Sequence, residues 1–162
     1  MGMNELSAVL WRERELLELL TFKLEEEQLL LTAGRSRWVD HASREVEQVL
    51  ERLRAVGLER SVESAAVAEQ LGAPTDAPLR EIVSAAAPEG PWGEILAAHL
   101  RAMIELTAQV AALRDENERF LRAAARATQE TLAGAVGEVA TYDGRGSADA
   151  GAAGAHFFDG SL

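Results

Sequence analysis

Cysteine is absent from all 162 residues, which excludes a disulfide framework, a thiolate nucleophile and a thiolate metal site. Basic residues are scarce: 16 Lys and Arg against 27 Asp and Glu leave a formal net charge of −11. Such a surface repels phosphate backbones and anionic headgroups, so neither nucleic acid nor a membrane surface is an expected partner. Long hydrophobic runs are missing too. Leu29 to Leu31 is the longest leucine run, against the ~20 apolar residues a span requires. Met1 to Leu10 has no basic segment followed by an apolar one. The expectations are no membrane span, no signal peptide and a cytoplasmic location. What remains, 48% apolar and 27% charged residues, is the composition of one soluble globular domain.

Gly and Pro are missing from residues 4 to 33, where Leu6, Leu10, Leu17, Leu20, Leu24 and Leu31 recur at helical steps. This pattern predicts a long amphipathic helix with Asn4 as N-cap and Gly34 as a left-handed C-terminal cap. The run 34 to 38 (GRSRW) is expected as a connector, and Val39, Ala42, Val46, Val49, Leu53 and Val56 open a second long helix, with an irregularity expected at Gly57. All four prolines fall at 74, 78, 88 and 91, a turn region holding a short helix from Leu79 to Ala87. From Pro91 the most regular pattern in the chain begins, through Leu96, His99, Met103, Leu106, Val110, Leu113, Asn117, Phe120, Ala124 and Ala127. The composition turns to Gly, Ala, Ser and Asp after Gly134 and Gly137. The expected fold is therefore all-α: an antiparallel bundle of three long helices with a short connecting helix. Its expected division is a helical domain over 1–137 and a flexible, disordered Gly/Ala-rich tail over 138–162. The third long helix outruns its neighbours by roughly 14 residues at ~1.5 Å each, which leaves an apolar edge in need of a partner.

The residues of enzyme chemistry do not converge. His41, His99 and His156 are scattered, no phosphate loop, dinucleotide fingerprint or nucleophile elbow occurs, and His99 on the apolar seam reads as a core histidine. Glu25, Glu26 and Glu27 point about 100° apart on a helix and are expected on a solvated face. Residues 65 to 86 imitate a helix-turn-helix, but from 61 to 92 Arg80 stands alone against Glu63, Glu69, Asp76, Glu81 and Glu89. Without phosphate-contacting cations that unit has little affinity for DNA to build on. No catalytic, metal or cofactor site is expected. Asn117 is the polar member of the seam, read either as a device that fixes helix register or as an anchor for a partner helix. Trp11, Trp38 and Trp92 are expected to pack the bundle ends.

Three stretches carry a resemblance: LWRERELLELLTFKLEEEQLLLTAGRSRWV (10 to 39), LRAVGLERSVESAAVAEQLGAPTDAPLREIVSAAAPEGPW (53 to 92), and ALRDENERFLRAAARATQETL followed by ATYDGRGS. Together they resemble FlgN-type flagellar export chaperones of the actinobacterial branch. The most specific parts are Asn117 to Leu121 (Asn-x-x-x-Leu) and Tyr142 to Gly146 (Tyr-Asp-Gly-Arg-Gly). The resemblance implies a non-enzymatic cytoplasmic protein, without cofactors, that binds hook-filament junction proteins by a terminal amphipathic segment before their type III export. It implies client contacts at Leu113, Asn117, Phe120, Leu121, Ala124, Thr128 and Leu132, and docking of Tyr142 on the cytoplasmic domain of the export gate. Phe157 and Phe158 receive no role from it. A monomer or weak homodimer is expected. The alternative is a structural coiled-coil or adaptor protein that self-associates through the same helix.

Overall fold

A computed structural model of the chain describes residues 2–143, and side chains for residues 2–139. Among the described residues four helices follow one another: α1 (Gly2–Thr32), α2 (Ser36–Leu71), α3 (Leu79–Ala86) and α4 (Pro91–Asp143). No strand occurs among the described residues, and the fold is all-α. The chain divides into two compact units, one up to Arg122 and one from Ala123 onward.

In the first unit, α1 supplies the central leucines. Leu6, Leu10, Leu20 and Leu24 are buried with Val49 and Val67 of α2, Ile82 of α3 and Leu96 and Met103 of α4. The polar contacts give the helix directions. Along α1, Arg12 pairs with Glu59 at 2.5 Å and Glu13 with Arg60 at 2.8 Å, and further along Lys23 pairs with Glu45 at 2.5 Å, so over the length of α1 the α2 partner numbers fall. Against α4 they rise together, from Ser7 with His99 to Leu24 with Asn117. The Lys23 bond holds the Glu45 carboxyl below its usual range and the ammonium above. Burial pushes the Glu13 carboxyl up, against the pull of Arg60.

The turns are tighter than the sequence suggests. Gly34 (φ 67°) ends α1 with its own N–H donating to Leu31 O and the Arg35 N–H to Leu30 O, the paired bonds that close a helix on a left-handed residue. Ser36, Arg37 and Trp38, expected in the connector, already lie in the first turn of α2. Asn4 is not an N-cap, because α1 starts at Gly2 and places it inside the first turn. Gly57 leaves α2 unbroken; one interior glycine costs only ~1 kcal/mol relative to alanine, which the packed helix absorbs. Trp11 and Trp38 are about half exposed, each ring set edge-to-face against a histidine, His99 and His41 respectively, and Trp92 is half-buried. Gly93 in the first turn of α4 has a different role. A Cβ there would sit 2.7 Å from Ala87 Cα and 3.0 Å from Ala86 O, so a side chain is excluded by backbone rather than by a movable neighbour.

The α4 helix passes Gly134 and Gly137 and continues to Asp143. Neither glycine has the positive φ of a left-handed cap, and the alanine-rich sequence around them favours continuation. Residues 144–162, which include most of the expected tail with Phe157 and Phe158, lie outside the described residues.

His99 is a buried member of the seam between α1 and α4. Its Nδ1 lies 3.4 Å from an Arg14 guanidinium nitrogen and its Nε2 lies 3.1 Å from Ser7 Oγ. Arginine only donates, so Nδ1 accepts and Nε2 carries the proton toward Ser7. The Trp11 ring stands edge-to-face on the imidazole at 5.1 Å, with the Arg14 guanidinium 4.2 Å from its centroid. Burial first, and the Arg14 charge second, hold the His99 pKa below the usual 6.5. A group whose folded pKa is depressed takes up protons preferentially in the unfolded chain, so its stability contribution is present above the unfolded value and lost as pH falls through the folded one. The thermal midpoint is expected to drop as pH is lowered from about 7 to about 5, and His99→Gln to flatten that drop. An unchanged slope in the variant would assign the acid sensitivity elsewhere.

Candidate functional site

The end of the packed unit is built around a polar junction. Asn117 of α4, 2% exposed, donates from Nδ2 to Leu24 O at 2.9 Å and to Glu27 Oε2 at 3.2 Å. Ser43 of α2 donates to the other Glu27 oxygen at 2.7 Å. Glu27, 5% exposed, thus joins three helices. It is not on a solvated face; only its neighbours Glu25 and Glu26 reach solvent. Two acceptors at one end of the Asn117 amide fix which end carries the NH₂ group. The opposite atom, Oδ1, is buried with no hydrogen-bond partner among the described residues. Asn117 thus ties α4 to α1, the arrangement expected of a residue that fixes register, and as a client contact it would offer little exposed surface. Asn117→Ala should lower stability by ~1–3 kcal/mol, because Glu27 loses a buried donor; urea unfolding measures it.

Beside this junction lies a groove of about 400 Å³ between α1, α2 and α4. Leu24, Val46 and Leu50 line it together with Asn117, and Leu121 stands at its α4 side. Of the expected client residues, Leu113 is half-buried against the core, whereas Phe120 and Leu121 are 37% and 38% exposed. The structure brings Asn117 and Leu121 to one groove and leaves Phe120 outside its lining. Glu27, Ser43 and the α2 residues of the groove were missed from sequence. The one available signal was Asn117 itself, since a polar residue in an apolar seam requires a polar partner on the facing helix.

In the unit from Ala123 onward, every residue of α4 with a described side chain is exposed. Ala124, Thr128 and Leu132 are spaced along one helical face, which continues through the exposed Val136 and Val139. Thr128 Oγ1 donates to Ala124 O at 3.0 Å, so its hydroxyl is satisfied within the helix and does not interrupt the apolar row. Tyr142 falls in the last turn of α4, and its side chain is outside the described residues.

Among the described residues no group of three or more His, Asp or Glu side chains is arranged to hold a metal ion. The α4 helix is long and apolar enough by composition to cross a membrane, with a mean hydropathy of 1.2 over 18 residues. It also carries the buried His99 and Asn117, both hydrogen-bonded to α1, so this apolar surface is at least partly a seam against protein. No curated protein and no solved structure is significantly similar to the chain. A model of the FlgN family, described as FlgN protein, matches residues 1–150. That match takes in the packed helices, the polar junction and the apolar row alike, and the chain belongs to the FlgN family.

Proposed function

We propose that this flagellar export chaperone captures hook-filament junction proteins in the cytoplasm and delivers them to the type III export apparatus. The C-terminal part of α4 is the capture element. The observation that carries this reading is the set of exposed apolar residues of α4 among the described residues: Phe120 and Leu121 in the first unit, and Leu132, Val136 and Val139 along one face in the second. An apolar row left in water favours association, and an amphipathic client segment laid along it buries both surfaces. Ordering that segment costs ~2–5 kcal/mol of the gross interaction energy, which keeps affinity moderate and suits a client that must be released. Covering the segment prevents premature assembly. The excess of acidic residues, net −11, keeps the unloaded chaperone soluble despite the open row.

Co-purification from the native cell followed by identification of the bound polypeptide tests the reading, with a junction protein as the expected partner. The same row could instead serve a second copy of the chain. Light scattering that found a tight obligate dimer, with Phe120 and Leu121 protected and no client bound, would support the scaffold reading. For Tyr142, the reading assigns docking on the export gate. Tyr142→Ala should leave client binding intact and impair secretion, and normal secretion would remove that role.

A further inference from the structure

The geometry points to a groove beside Leu121 that selects a helix whose apolar anchors are flanked by lysine or arginine. This rests on the client-capture reading and adds the charge of the segment captured. The groove has an apolar floor, Leu24, Val46 and Leu50, and acidic sides contributed by two different helices: Glu47 from α2, and Asp115 and Glu118 from α4. Glu118 is paired with Arg122, but the Glu47 and Asp115 side chains have no ion-pair partner among the described residues. Arg114 is the one cation among the lining residues. Carboxylates on both sides of an apolar floor complement an amphipathic helix with basic flanks and repel one with acidic flanks.

The test uses the full chain and two synthetic amphipathic peptides that share one leucine pattern (i, i+3, i+4, i+7), flanked by Lys and Arg in one and by Glu in the other. Fluorescence anisotropy should show the basic peptide binding roughly tenfold or more tightly at low salt, with the gap shrinking at about 0.5 M salt. Glu47→Lys with Asp115→Lys should abolish or reverse the preference. Glu69→Lys with Glu81→Lys, which changes the net charge equally at exposed positions outside the groove lining, should preserve it. Equal binding of both peptides, or an equal loss of preference in the two double variants, overturns the inference. Capture of a junction protein despite such a result would leave the chaperone reading standing, whereas absence of any client would strike that reading instead.

Discussion

Leu20→Ala is expected to lower the stability of the folded chain by ~2–5 kcal/mol, the range for deleting a fully buried leucine side chain. Leu20 is 1% exposed and packs within the cluster shared by all four helices, so no solvent-facing space exists into which the neighbours can relax. At about 2–4 °C per kcal/mol for a chain of this size, the thermal midpoint should fall by roughly 5–20 °C. Urea unfolding checks the free energy independently, and a change below ~1 kcal/mol would mean that α1 is not the centre of the core. Client affinity, if the capture site lies on α4, should change far less than stability.

The converse is expected of Phe120→Ala combined with Leu121→Arg. Both residues are more than one third exposed, so the double variant should melt within a few degrees of the parent. Its affinity for a junction protein should fall roughly a thousandfold, since two apolar anchors at ~2 kcal/mol each correspond to about that factor. Calorimetric titration against the purified client measures the loss. Unchanged affinity would remove these residues from the interface, and a large melting loss would place them in the core.

Much of the helical layout was legible because periodicity reports burial directly. Leu6, Leu10, Leu17, Leu20 and Leu24 were recognisable as one face, and Gly34 as a cap. The helix ends were less so: Asn4 has a capping side chain, and Gly134 and Gly137 have breaker character, yet the helix runs through all three. Local preferences of about a kilocalorie yield to continuation when no competing hydrogen bond is offered. The groove was illegible for another reason. Glu27 looks like one of three surface glutamates until Ser43 and Asn117 are seen to meet it, and proximity across 90 residues of chain leaves no mark in a local pattern. Leu121 was recognisable as an apolar residue on the right helix, but the α2 wall opposite it was not.

Gly93 gives the far end of the packed unit a mechanical dependence on its beginning. From that point to Leu121, α4 is an unbroken rod of about 42 Å at ~1.5 Å per residue. Pushing the rod off the Ala87 backbone by as little as ~5° would swing its Leu121 end through roughly 4 Å, by lever arithmetic on that length. A single methyl added at Gly93, where the start of α4 rests on the backbone after α3, would thus misalign the groove wall from afar.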